Sequence, residues 1–258
     1  MENCLLMARQ LMLDQISKGR NKNFVMSPMS IVVALSILAF GSRGRTLEQL
    51  LDFLEAKDMD DLKAKASLMM SAAAPAENTK GLILSSLNGV WIDQRFAIRP
   101  SFKEIAETVF KAEANAVDFL NEAEIVRNKV NLWVKNATKG LIKEVLPPGA
   151  FSYGFEAKEI MKNLGLTLPF ETVADFTEII ESLESGKVFV SSIVQESCIE
   201  VNEKGTKAAA ATCVSVQLAS RPPPRPSFVA NHPFMFMIRE EISGIIFFVG
   251  VVLNPLLG

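Results

Sequence analysis

Residues 203–212 read Glu203-Lys204-Gly205-Thr206-Lys207-Ala208-Ala209-Ala210-Ala211-Thr212, and the reading of this run decides the fold. At a period of two, Thr206, Ala208, Ala210 and Thr212 fall on one face and Lys207 on the other. Four such small side chains slide beneath other elements without overpacking a core. The run buries little surface of its own, so it is expected on the outside of the molecule. It reads as a strand held in reserve. A plain flexible loop does not require one uniformly small face.

On its N-terminal side, Val188 to Val201 has the β-branched content of a long strand. On its C-terminal side, Arg221 to Pro226 is a proline-rich stiff spacer, followed by Phe234 to Ile238 and Ile245 to Leu253. Those two apolar stretches read as strands joined at Ser243-Gly244.

The first half is helical. Leu5, Leu6, Ala8, Leu11, Met12 and Ile16 recur at helical spacing. Ser27-Pro28-Met29-Ser30 opens an apolar stretch to Phe40, which predicts a fully buried helix. Further helices are predicted from Thr46, over Asp60 to Met70, over Pro100 to Phe110, over Glu122 to Leu146 and over Phe155 to Leu164. Ser71 to Lys80 reads as a loop, Leu82 to Ile92 as a buried strand, and Ala116 to Phe119 as a short one. Helices first and strands later make an α+β fold. No linker or repeat divides residues 1–258, which read as a single domain.

Composition excludes several functions. The chain has 27 Lys plus Arg against 29 Asp plus Glu, a formal charge of −2, which lacks the footprint of a nucleic-acid binder. A hydrophobic content of 49% against 22% charged predicts a sizeable core. Cys4, Cys198 and Cys213 are far apart, so neither a disulfide framework nor a metal site is expected. The longest apolar stretches fall short of the ~20 residues of a membrane helix, and no signal peptide opens the chain; no membrane partner and a cytoplasmic location are expected. Asn136-Ala137-Thr138 matches a glycosylation sequon, which acts only in a secreted chain.

No nucleotide loop is present and no cofactor is expected. His232, the single histidine, precedes Pro233 and is expected to be a buried or edge structural residue; no G-x-S-x-G elbow accompanies it. Glu240-Glu241 reads as a solvated face beside a turn. The chain is not expected to be an enzyme.

Five segments together resemble the serpin family, and its plant type in particular. They are the hinge Glu203-Lys204-Gly205-Thr206-Lys207-Ala208-Ala209-Ala210-Ala211 and the stretch Phe228-Val229-Ala230-Asn231-His232-Pro233-Phe234 after it. Asn23-Phe24-Val25-Met26-Ser27-Pro28-Met29-Ser30-Ile31 resembles the start of the family's buried helix. Asn88-Gly89-Val90-Trp91 resembles a strand of its central sheet, and Gly140-Leu141-Ile142-Lys143 the end of the helix covering that sheet.

The resemblance implies a serpin-like fold, N-terminal helices with a mixed or antiparallel central sheet. It implies a serine protease inhibitor whose exposed loop, about 203–226, is bait. Glu203, Gly205, Thr206, Ala208, Ala209, Ala210, Ala211 and Thr212 form its hinge, and counting from Gly205 puts the reactive bond at Ala219-Ser220, after Leu218. The protease attacks that bond, and the loop inserts into the sheet with Thr206 entering first. The acyl-enzyme is dragged along and distorted. The plant type often carries Leu-Arg-Ser where this chain has Leu218-Ala219-Ser220, so the implied target is an elastase-like protease with a small pocket. Gln195 stands where many members have a histidine. The family's middle is missing near 149–151, where Pro147-Pro148-Gly149 gives way to Phe151, and with it strands that flank the inserting loop. That loss carries the alternative reading, a non-inhibitory remnant or substrate-like interaction protein. By resemblance, the extracellular space is a second possible location.

Overall fold

Residues 28–40 hold no charged side chain, and in the computed structural model they form a helix buried on nearly every side, α2 (Pro28–Phe40). The structure describes residues 2–17, 23–73, 87–146, 156–181, 188–190 and 231–254. Ser27 caps α2 by accepting the Ser30 amide at 3.2 Å, and Pro28 occupies the first turn, where no amide is needed. The buried Ser36 hydroxyl donates to the Val32 carbonyl at 2.7 Å, so its burial leaves no polar group unpaired. Gly41 caps the helix's C-terminal end, and the position must stay glycine because a Cβ there would lie 2.1 Å from Cγ1 of Ile179.

Two sheets lean on this frame. β1 (Phe24–Met26), β5 (Ile246–Val252) and β4 (Phe234–Arg239) form an antiparallel sheet in the order β1-β5-β4. The chain's beginning and end are thereby joined, Phe24 opposite Val251 and Met26 opposite Val249. Asn23 secures the join: its Oδ1 accepts the amides of Leu253 and Asn254, each at 3.0 Å, and its Nδ2 donates to the Asn254 carbonyl at 2.8 Å. The second sheet is a parallel pair, β2 (Asn88–Asp93) with β3 (Ala112–Val117), crossed over by α5 (Pro100–Thr108).

The other helices are α1 (Glu2–Ser17), α3 (Gly44–Phe53), α4 (Met59–Ala72), α6 (Ala123–Ala137) and α7 (Glu156–Asn163). One apolar cluster runs from Cys4 of α1 through Leu35 and Leu62 to Met161, Phe176, Val249 and Val251. Residues on both sides of the 149–151 junction therefore share a core. A second, small cluster holds Val126, Val130 and Leu146, with Trp91, Val117, Phe119 and Val145 against it.

Several expectations need correction. α1 buries Ala8 and Met12 and packs Leu5 and Leu11 on the core as expected, adds Cys4 and Met7 to it, and leaves Leu6 40% exposed. α4 runs through Ala72, past the expected start of a loop at Ser71. β3 begins four residues before Ala116, since pairing with β2 overrides the weak strand propensity of Ala112-Glu113-Ala114-Asn115. The expected helix to Leu146 ends at Ala137: Lys139 (φ 52°) and Gly140 (φ 85°) are left-handed, and the Gly140 amide closes on the Lys135 carbonyl at 2.7 Å. β1 was not read from the sequence. The strand expected from Leu82 is seen from Asn88, the residues between 82 and 86 lying outside the described ones. Val188–Val190 belong to no strand, and the rest of that expected strand lies outside the described residues.

Past its end, the chain folds back on α6 through one buried amide. Asn131 Oδ1 accepts the backbone amides of Val145 and Leu146, both at 2.9 Å, and Nδ2 donates to the Leu146 carbonyl at 2.9 Å. Trp133 donates from Nε1 to Glu113 at 2.5 Å and meets Trp91 edge to face, ring centroids 5.1 Å apart. Asn131→Ala strands those buried groups and is expected to cost about 2–3 kcal/mol. Urea denaturation followed by tryptophan fluorescence checks it, because the chain's two tryptophans, Trp91 and Trp133, both report on this cluster. A midpoint unchanged from the parent contradicts the clamp.

At the β4–β5 turn, Glu240 accepts from the Ser243 hydroxyl, the Ser243 amide and the Ile242 amide, which hold its carboxyl below the usual carboxylate range. Gly244 follows with φ +72°, which a side chain resists. A lowered folded-state pKa gives stability that is present above the unfolded value and lost as pH falls through the folded one. The hairpin is therefore expected to weaken in the parent as pH falls out of the ordinary carboxylate range and through the lower folded-state value, and the gap between parent and Glu240→Gln to close as it does. Thermal melts across pH measure it; a gap that persists at the acid end contradicts the assignment.

Candidate functional site

The described residues on either side of the candidate bait segment are firmly held. On the entry side, Arg99 donates its backbone amide to the Ile179 carbonyl at 2.8 Å and its Nε to the Ile180 carbonyl at 2.9 Å. Glu181 donates to the Ala97 carbonyl at 2.9 Å, so residues 179–181 are tied to the start of α5. The Val190 amide donates to the Pro169 carbonyl at 2.8 Å, and Val188 and Val190 pack on the main core. Pro169 belongs to a single 3-10 turn, Leu168–Phe170, itself held by Gln49, whose Oε1 accepts the Thr167 and Leu168 amides at 2.9 and 2.7 Å.

On the exit side, β4 emerges three residues after Asn231 and pairs with β5 through its length, with an irregularity at Ile238/Arg239. Met235 and Met237 lie opposite Val251 and Val249 yet are 72% and 55% exposed, whereas Val249 and Val251 are buried. β4 is the last strand of its sheet among the described residues.

The hinge residues Glu203, Gly205, Thr206, Ala208, Ala209, Ala210, Ala211 and Thr212 lie outside the described residues. So do the reactive-bond residues Leu218, Ala219 and Ser220, the spacer Arg221–Pro226 and Gln195. His232 is exposed ahead of β4, its Nδ1 2.7 Å from Asn231 Oδ1, so it is an edge residue and not a buried one. Glu240 is more than a solvated carboxylate: it organises the turn, while Glu241 faces solvent. Burial pushes the Cys4 thiol up to about 12, which makes it an inert packing group.

The other recognised segments fall in ordered elements. Asn23–Ile31 spans the clamp, β1, the Ser27 cap and the first turn of α2. Asn88–Trp91 lies in β2, and Gly140–Lys143 follows α6 instead of ending it. Asn23 and Gln49 hold the two ends of this frame, and neither was singled out by sequence. Asn23 had a local signal, a short polar side chain just before a strand; Gln49 bonds residues 118 and 119 positions away, and nothing local announces it.

Comparison with known proteins follows this geometry. The model of the serpin family (serine protease inhibitor) matches residues 7–153 and again 145–255. The chain is 29% identical to Serpin-ZXA of rice, Oryza sativa subsp. japonica, across 93% of this chain and 92% of the relative. That alignment runs over 364 residues against a chain of 258, so at least 106 of its positions are filled by the relative alone. Serpin-ZX of Arabidopsis thaliana is also 29% identical, over 92% of this chain and 93% of its own. Among solved structures, the native stressed conformation of Arabidopsis AtSerpin1 superposes with a TM-score of 0.77 at 29% identity, covering 92% of each chain. Native protease nexin-1 with heparin shares the fold, with a TM-score of 0.74 at 20% identity and coverage of 94% and 96%. The chain belongs to the serpin family of serine protease inhibitors, and its similarity to plant members runs through both halves.

Proposed function

We propose that residues 203–226 are bait for a serine protease, with the reactive bond at Ala219-Ser220 and an elastase-like target of small pocket. The observation that carries this reading is the tethering of the bait segment at both ends. Val190 is held to Pro169 before it, and β4 is zipped into the core sheet after it. A segment held at both ends offers a protease an extended substrate without having to leave the molecule. Ala219 suits a small pocket, and Leu218 before it extends the apolar contact.

The chain is further read as an internally shortened serpin, lacking the family's middle near 149–151. What supports this is the pair of family matches that overlap at that junction, together with the excess length of the alignment to the rice relative. Insertion of the loop as a strand needs a backbone partner along each edge, and each hydrogen bond contributes only ~1 kcal/mol net. Among the described residues, the sheet that contains Asn88–Trp91 has two strands, β2 and β3. With a flanking strand missing, about half of the bonds that drive insertion go, and the race against deacylation is lost. The chain as written is therefore cut as a substrate and does not hold the protease.

Two measurements on one mixture with an elastase-like protease test both parts. Mass spectrometry is expected to place the cut after Ala219; a dominant cut elsewhere overturns the bait assignment. Denaturing gel electrophoresis is expected to show no band at the summed mass, and the cleaved product no large rise in melting temperature. A stable adduct would show that trapping survives. Trypsin is expected to spare Arg221 and Arg225, each followed by proline. Ala219→Arg is expected to bring tryptic cleavage to that bond, gaining about tenfold or more in rate over the parent. No gain refutes the register counted from Gly205.

A further inference from the structure

Between Ile125 and Lys143 the sequence holds Arg127, Lys129, Lys135, Lys139 and Lys143 and no acidic residue, in a chain whose formal charge is −2. α6 and the turn after it carry this stretch. Arg127 is taken up by Glu124 and Glu144, at 2.7 and 2.8 Å. Lys129, Lys135, Lys139 and Lys143 are exposed, and among the described residues none has an acidic partner.

The geometry of α6 adds an apolar element. Its inner face places Val126, Val130 and Val134 in buried positions over the parallel strand pair. Ile125 and Leu132 are seven residues apart, so they share one line on the opposite face, where they are 50% and 57% exposed. On a regular helix Lys129 and Lys135 flank that line by about 60° to either side. Leu141 is 54% exposed between Lys139 and Lys143 in the segment beyond.

A favourable interaction with the helix dipole accounts for Lys135 alone. It leaves unexplained Lys129, Lys143 past the left-handed turn, and the apolar line between the charges. Lysines bordering an outward apolar strip are the pattern of a helix that lies in a membrane interface, stems along the apolar part and ammonium groups toward headgroups. No helix among the described residues is long and apolar enough to cross a membrane, so the contact is peripheral.

We propose that the outward face of α6 docks on an anionic phospholipid bilayer. Ile125 and Leu132 enter the boundary of headgroups and acyl chains, and Lys129, Lys135, Lys139 and Lys143 pair with headgroup phosphate and carboxylate. This revises the expectation of no membrane partner, which rested on the length of the apolar stretches and the absence of a signal peptide. A soluble polyanion would use the lysines and gain nothing from Ile125 and Leu132.

Co-sedimentation with phosphatidylcholine vesicles, with and without phosphatidylserine, tests it. The full chain is expected to pellet with the anionic vesicles alone and to be released as salt rises from about 0.1 M to about 0.5 M. Lys135→Gln with Lys139→Gln is expected to lower the partition coefficient about twentyfold. Leu132→Gln is expected to lower it about tenfold at unchanged charge. Far-UV circular dichroism confirms that the variants, all at exposed positions, keep the parent's helix content. Three results overturn the proposal: no preference for anionic vesicles, partition insensitive to Leu132→Gln, or equal retention of parent and Leu132→Gln by soluble polyphosphate with no vesicle binding.

Discussion

The burial of α2 against β5 is the contact from which the rest of the molecule is hung. A helix without a charge over residues 28–40 has no stable place in water, and the fold answers by covering it with β5 on one side and with α1, α3, α4 and α5 around it. Because β5 comes from the C-terminal end and pairs with β1 beside α2, the first and last parts of the chain have to meet before either is stable. Asn23 closes that meeting with three hydrogen bonds. The core so formed includes Met161, Leu166 and Phe176 from beyond residue 155, continuous with α1, α2 and β5.

The main core also fixes the described residues on either side of the proposed bait segment, Val190 on Pro169 and β4 on β5. The parallel pair β2–β3 packs Ile92, Ala112 and Ala114 into the main core, and its other face carries α6 through the small cluster of Val126, Val130 and Leu146, with Trp91 and Trp133 edge to face beside it. Apolar burial scales with area removed from water, so this cluster contributes far less than the main one.

Much of this was legible in residues. The absence of charge from Pro28 to Phe40 gave α2 and its complete burial, and two apolar runs about Ser243-Gly244 gave the β4–β5 hairpin. Five segments in order, the hinge 203–211 among them, carried the family resemblance before any geometry, although the hinge lies outside the described residues. The failures have physical causes. The end of α6 is set by Lys139 in the left-handed region, which a lysine seldom adopts and which no pattern signals, while apolar spacing ran on to Leu146. β3 exists because β2 lies beside it, not because Ala112-Glu113-Ala114-Asn115 prefers a strand. The basic stretch on α6 was hidden by averaging: a whole-chain charge of −2 says nothing of a run without one acid.

The central claim is that one large core, built on α2 and β5, joins the described residues before 147 and after 155, and that α6 is held on it by a smaller, weaker cluster. Native-state hydrogen exchange read by mass spectrometry tests it most directly. Peptides covering Pro28–Phe40 and Ile246–Val252 are expected to exchange only through global unfolding, with a shared dependence on denaturant. Peptides covering Asn88–Asp93, whose Ile92 lies in the main core, are expected to follow α2, whereas those covering Ala123–Ala137 are expected to open earlier and with a smaller dependence. Exchange of α2 as fast as α6, or a single opening for all four peptides, would contradict the account.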